Sequence, residues 1–326
     1  MDNPISNYII KQPDDCALIF IKNGQSIIDI NAQCHMPLAS IYKLIVLKAY
    51  LEQCKSGDVN PNDLVHIHEL KCYWIRWVDP GFSGWYASLK ATNKVKNNQI
   101  ALREIVQGML EYSCNANTDY LLSLLHIEKV QKQLDTLKID GHDPIMPIST
   151  SVLMFLRDIK KGMTHTPITL AKEANSAFEK LLQGKTVEGL DFNLLNDFDY
   201  KRQCDWSDAL PHASVHNYIQ VLNQLQALHK NTKELQSVMS WFGNLKSYKG
   251  LQGGMKLGTT PKVFNTALYA TDKENNTYQL IYFLNNLDQE QKEMVTLASN
   301  DFNLRMIKEP SYVNELKNNI AHVASV

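Results

Sequence analysis

Strand-forming residues in this chain are concentrated at its two ends, and that distribution constrains the fold more than any other feature. Near the N-terminus, "CALIFIKNGQSIIDIN" is two β-rich runs joined by Asn23-Gly24. This dipeptide supplies the positive φ angles a two-residue hairpin turn needs, so a β-hairpin is predicted. Similar runs return only late, as "KVFNTALYAT" and "YQLIYFLNN" separated by the turn-like "DKENN". Between the ends, apolar residues recur at helical spacing over residues 40–55, 101–112, 117–125, 128–137, 151–160, 171–182 and 214–228, and 289–305 reads as a last helix. Strands at a chain's two ends find partners most simply in each other. The expected fold is therefore α/β (α+β): an antiparallel sheet formed by both chain ends with flanking helices, residues 1–36 and 240–326, and an inserted all-helical domain, residues 37–239, with candidate residues drawn from both.

Composition excludes several function classes. The 326 residues suffice for a large core, and a formal net charge of −1 leaves no basic surplus for nucleic acid or an anionic membrane surface. No apolar run approaches the length of a membrane span, and the first residues carry no signal-peptide pattern, so the location is left open, with the cytoplasm expected if the chain as given is complete. Cys16, Cys34, Cys54, Cys72, Cys114 and Cys204 form no CxxC pair and are read as mostly free thiols. His66 and His68 in "HIHE" are two possible ligands with no third, so no metal is expected.

Three short motifs carry the chemistry. In "MPLASIYKLIVLKAYL", Pro37 is expected in the first turn of a helix, with Ser40 and Lys43 on one face of it among Leu38, Ile41, Leu44 and Ile45. A serine hydroxyl becomes a nucleophile when a neighbouring base takes its proton, and a lysine is such a base when burial or nearby positive charge lowers its pKa. "EYSCNANTDYLLSLL" places Ser113 and Asn115 between two helices, and "GGMKLGTT" places Lys256 and Gly258 at the start of the late strands. Taken singly, each has a structural reading: a snorkelling lysine, a helix N-cap, a turn residue, a surface cation.

Taken in order, S-x-x-K, S-x-N and K-x-G resemble the signature set of penicillin-binding proteins and class A β-lactamases. The late strands and following helix, and the early hairpin, fall where that family has them, so the resemblance covers most of the chain. It implies that Ser40 forms an acyl-enzyme, with Lys43 accepting its proton directly or through water. Ser113 would pass a proton to the leaving nitrogen, and Asn115 would bind the substrate amide and Lys43. Lys256, with Gly258, Thr259 and Thr260, would meet the substrate carboxylate and depress the pKa of Lys43. The backbone N–H groups of Ser40 and Thr259 would make the oxyanion hole. No cofactor is implied. The expected partner is a small β-lactam or related acyl compound, the expected state a monomer, and the family is usually periplasmic or secreted.

The chain also departs from that pattern. Leu257 stands where a hydroxyl is usual in the third motif, and Cys114 where the second usually has an aspartate. The stretch expected to hold the family's Ω loop, about residues 144–208, is long and has no clean copy of its glutamate and asparagine pair. Glu188 is the candidate deacylating base, with Asn193 five residues on, and Asp205 or Asp208 is the alternative. Tyr73, Trp74, Trp77, Phe82, Trp85 and Tyr86 crowd one predicted loop, either to grip an acyl group or as a satellite core. The leading reading is a class A-like β-lactamase. A DD-peptidase, esterase or amidase of the same fold, and a binding protein that has lost turnover, are the alternatives.

Overall fold

The computed structural model describes residues 1–190, 193–229, 233–238 and 248–323, and divides the chain into two compact units. The first comprises Met1–Ile41, Ala213–Gln226 and Ser240–Val326. Its centre is a five-stranded antiparallel sheet in the order Gln25–Ile30, Cys16–Lys22, Thr277–Leu284, Val263–Thr271, Gln252–Thr260. The two ends of the chain meet where Leu18 pairs with Tyr282 and Phe20 with Leu280.

Every residue of Val263–Thr271 is buried, as are all but the first of Thr277–Leu284. Central strands covered on both faces read as continuous apolar runs, not alternating ones, which is why these two were visible in the sequence. On one face Ile5, Tyr8, Phe302, Met306, Tyr312 and Leu316, from three terminal helices, join Leu268, Leu280 and Tyr282 in a core. On the other, Tyr218 packs edge-on against Phe283. Gln226 there donates to the Ala270 carbonyl at 2.9 Å, and Gln279 donates to the Asn223 carboxamide at 2.7 Å. Ala213–Gln226 thus belongs with the sheet, although the sequence reading grouped it with the helices. The expected boundary at 239/240 lies outside the described residues.

The second unit, Tyr42–His212 with Ala227–Met239, is helical. Its axis is the helix Lys43–Ser56, of which Lys43 through Leu51 are buried without a break. Such a helix is enclosed on all sides, so its sequence shows little amphipathic contrast. Gln53 donates to the Leu125 carbonyl at 2.9 Å, and the Tyr50 hydroxyl donates to Glu234 at 2.7 Å, tying the axis to its neighbours.

Several elements differ from the sequence reading. Pro37 does not open a helix: it is extended, its carbonyl accepts a hydrogen bond from Asn265 at 2.7 Å, and a one-turn 3₁₀ helix, Ala39–Tyr42, leads into the α-helix at Lys43. The aromatic stretch is not all loop. Pro80–Ala91 is a helix that buries Phe82, Trp85 and Leu89 on one side, a 3.6-residue period obscured by Gly81 and Gly84. Further helices were not expected, among them Pro4–Lys11, Tyr200–Asp208 and Pro310–Val323, and the helix before the last runs Gln289–Lys308. All six cysteines are free thiols. No helix among the described residues is long and apolar enough to cross a membrane.

Because Leu268 is fully buried at the centre of the sheet, Leu268→Ala is expected to cost about 2–5 kcal/mol through lost transfer energy and a residual cavity. Denaturant unfolding of both proteins should give a lower midpoint with an unchanged slope.

Candidate functional site

The residues picked out by sequence fall into two groups, each assembled within one unit. In the first unit, Ser40 lies partly exposed in its single 3₁₀ turn, and its hydroxyl has no hydrogen-bond partner among the described residues. Ala39 before it has φ +46°, a conformation that costs a non-glycine residue about 1–3 kcal/mol and that persists where surrounding contacts enforce it. The strand Gln252–Thr260 presses against this turn. A Cβ at Gly258 would meet the Leu38 carbonyl oxygen at 2.6 Å and the Ile41 side chain at 2.9 Å, so only glycine permits the approach. The third motif is thereby held beside the segment bearing Ser40.

Within that strand the side chains alternate. Lys256 is buried, and its ammonium donates to the Leu257 carbonyl at 2.8 Å. Leu257 shares the face of Met255 and packs on the sheet core, turned away from the face of Lys256 and Gly258. Thr259 is exposed, and the Thr260 hydroxyl is buried with no hydrogen-bond partner among the described residues.

In the second unit, Lys43 is completely buried. Its ammonium donates to the Ser113 carbonyl at 2.6 Å, to the Asn115 carboxamide oxygen at 2.7 Å and, more weakly, to the Ser113 hydroxyl at 3.4 Å. Asn115 is the first residue of the helix Asn115–Leu125, and Ser113 stands two residues earlier in the left-handed region, at φ +57°. Burial lowers the Lys43 pKa from 10.5 to about 8, while charge at Asp79, then at Cys114 and Asp119, pulls it back up. Lys43 therefore changes charge within one or two pH units of neutrality.

Sequence reasoning missed those two aspartates. The Asp119 carboxylate is buried and accepts from the backbone N–H groups of Ile148 and Ser149 at 2.8 and 2.7 Å and from the Ser149 hydroxyl at 2.5 Å, capping the helix Ile148–Ile159 whose own N-cap is Pro147. Burial pushes its carboxyl up to about 6. Asp79 is buried and accepts from the Ala116 N–H at 2.8 Å. A carboxylate inside the apolar pattern of "NTDYLLSLL" and another in "VDPG" were the available signals.

Other candidates are not gathered in. Glu188 is exposed in a bend after the helix Pro167–Leu182 and makes no hydrogen bond or ion pair among the described residues. Asp205 is paired with Lys201 at 3.0 Å on the surface. Of the aromatics, Trp74, Phe82 and Trp85 form a stacked and tilted core with centroids 5.0 and 5.4 Å apart, whereas Trp77 is 61% exposed beneath the Arg76 guanidinium.

The glycine contact yields a direct test. Gly258→Ala places a methyl group against backbone, which cannot move aside as a side chain can, and overpacking of this kind costs about 1–3 kcal/mol. A depressed melting temperature with retained circular dichroism is expected.

The description "Beta-lactamase enzyme family" fits residues 2–195, more than half of the chain. No curated protein sequence matches. Among solved structures, a representative class A beta-lactamase from Bacteroides cellulosilyticus is similar at 13% identity and a TM-score of 0.57, over 94% of this chain and 100% of that one. A beta-lactamase from Chitinophaga pinensis gives 13% identity and a TM-score of 0.57, over 92% and 97%. An acyl-enzyme complex of a PBP-A variant with penicillin G gives 12% and 0.54, over 93% and 92%. With the family pattern spanning most of the helical unit and the fold of class A beta-lactamases throughout, this chain belongs to the beta-lactamase enzyme family.

Proposed function

We propose that this protein is a serine hydrolase that opens β-lactams through an acyl-enzyme, with Ser40 as nucleophile and Lys43 as its base. The observation that carries this reading is the lysine. A fully buried amine with a pKa near 8, held by oxygens of Ser113 and Asn115, matches what a general base for a serine hydroxyl requires. In its neutral form Lys43 takes the Ser40 proton, directly or through one water, as Oγ bonds to the lactam carbonyl carbon. The Ser113 hydroxyl, within reach of Lys43 at 3.4 Å, gives its proton to the ring nitrogen as the C–N bond breaks and regains one from the Lys43 ammonium, which carries the proton taken from Ser40. Asn115 binds the substrate amide. Lys256 contributes positive potential for the substrate carboxylate, with Gly258, Thr259 and Thr260 alongside. The backbone N–H groups of Ser40 and Thr259 stabilise the oxyanion, each donor being worth about 10²–10³-fold in related chemistry.

Water must then release the acyl group. The exposure of Glu188 favours a second reading for this step alone, in which deacylation is slow and the protein behaves as a penicillin-binding protein. Intact mass followed over time after mixing with a penicillin separates the two: a transient adduct indicates a hydrolase, and a lasting one a slow acyl-enzyme.

Ser40→Ala should abolish the adduct while the protein stays folded, since only one small, partly exposed hydroxyl is lost; an undiminished adduct would sink the assignment. Lys43→Ala and Lys256→Ala should each slow acylation by orders of magnitude, one removing the base and the other the positive charge. The pH profile has a defined sign. The reactive amine is the deprotonated form, so the acylation rate should rise about tenfold per pH unit below about 8 and level off above it. A flat profile between pH 6 and 9 would count against Lys43 as base.

A further inference from the structure

We propose that Asp79 is a positioning residue for this chemistry: its buried carboxylate clamps the turn that carries Ser113 and Asn115 and supplies a counter-charge to Lys43. The inference rests on the acyl-transfer reading of Lys43, Ser113 and Asn115.

Two consecutive residues of one segment grip two consecutive residues of another. The Val78 carbonyl accepts from the Asn115 carboxamide nitrogen at 3.1 Å, and the Asp79 carboxylate accepts from the Ala116 N–H at 2.8 Å. The first bond fixes which way the Asn115 amide faces. With its nitrogen committed to Val78, its oxygen is the atom left for the Lys43 ammonium, 2.7 Å away. The second bond satisfies one of the orphan N–H groups at the start of the helix Asn115–Leu125, where a negative charge is favoured by the helix dipole.

Asp79 gives up a local role to do this. It occupies the N-cap position of the helix Pro80–Ala91, directly before Pro80, yet its side chain makes no capping bond to that helix. Its reach depends on a close approach enforced two residues later. A Cβ at Gly81 would lie 2.2 Å from the Tyr112 carbonyl oxygen, the residue before Ser113, so the start of this helix sits hard against the turn only because position 81 is glycine. The turn needs such support, because Ser113 is held at φ +57°. Other restraints on it include the Cys114 N–H bond to the Gly108 carbonyl and the Lys43 bond to the Ser113 carbonyl.

The charged and titratable groups acting on Lys43 from the elements around it are Asp79, Cys114 and Asp119. Asp119 already accepts three hydrogen bonds from Ile148 and Ser149, and Asp79 exerts the largest of the three effects. Removing the Asp79 charge while keeping an acceptor should therefore make Lys43 easier to deprotonate. Removing the acceptor as well should loosen Ser113 and Asn115.

The full-length protein with Asp79→Asn, Asp79→Ala and Gly81→Ala tests this by two readouts. One is the Lys43 titration, followed by NMR of ¹³C-lysine-labelled protein and assigned with Lys43→Arg. The other is the acylation rate with a fluorescent penicillin from pH 6 to 9. Asp79→Asn should keep its melting temperature and lower the Lys43 midpoint by about one pH unit, the size expected for loss of a close counter-charge. Asp79→Ala and Gly81→Ala should slow acylation at least tenfold even on the high-pH plateau. Unchanged Lys43 titration and acylation in a folded Asp79→Asn protein overturn the proposal. If the parent shows no adduct with any penicillin, the acyl-transfer reading fails separately, and the NMR titration of the Asp79→Asn protein still decides whether Asp79 governs Lys43. Should Asp79→Ala not fold, the Asn and Gly81 variants carry the decision.

Discussion

The hydrogen bonds from the Lys43 ammonium to the Ser113 carbonyl and the Asn115 carboxamide are the interactions on which the arrangement of candidate residues in the helical unit depends. A lysine with no solvent exposure is costly to keep charged, and the cost is met either by partners or by losing the proton. Here both operate. Two strong acceptors and one weak one surround the nitrogen, and the nearby carboxylates are each engaged by backbone N–H groups at a helix start. A carboxylate so engaged is held by the backbone and not by Lys43 alone, so a change of charge on the lysine leaves it in place.

Strain that is otherwise unfavourable is held by local contacts of this kind. Ser113 and Ala39 both adopt positive φ without being glycine, and they sit at the second motif and directly before Ser40. Each is held by neighbours that cannot yield. Ser113 has the Lys43 bond to its own carbonyl, and the segment at Ala39 has the Gly258 backbone against Leu38 and Ile41. Left-handed residues of this kind cluster where a side chain must be aimed in a direction regular structure does not offer.

Much of this was legible in the sequence, for identifiable reasons. The Asn23-Gly24 hairpin and the two apolar late strands announce themselves because turn chemistry and burial on both faces act locally. Ser40, Lys43, Ser113, Asn115 and Lys256 were marked by their spacing and order. What escaped were groups whose role is set by partners distant in sequence. Asp79 looks like a helix cap, and Asp119 like an irregularity in an apolar helix, until Ala116 and Ile148 are brought to them by the fold. The helix at Pro80 escaped because its glycines lower helix propensity, although one of them is required by the approach to Tyr112. Glu188 was favoured for its place in the chain, a guide that carries no information about burial.

Leu257 shows how strand geometry redistributes meaning within a motif. Read as a string, K-x-G suggests that its middle residue meets the substrate, so a leucine there looks like a lost hydroxyl. In the strand, pairing is regular from Gln252 to Thr260 opposite Thr271 to Val263, and successive side chains point to opposite faces. Leu257 accordingly follows Met255 toward the core formed with the terminal helices, while Lys256 and Gly258 share the other face. An apolar side chain is what that position requires for packing, and its hydrophobicity is explained before any substrate is considered. The same alternation puts Thr260, whose hydroxyl has no hydrogen-bond partner among the described residues, on the face of Lys256 and Gly258, and Thr259 on the face of Leu257. The departure at position 257 is therefore weak evidence against a β-lactam substrate.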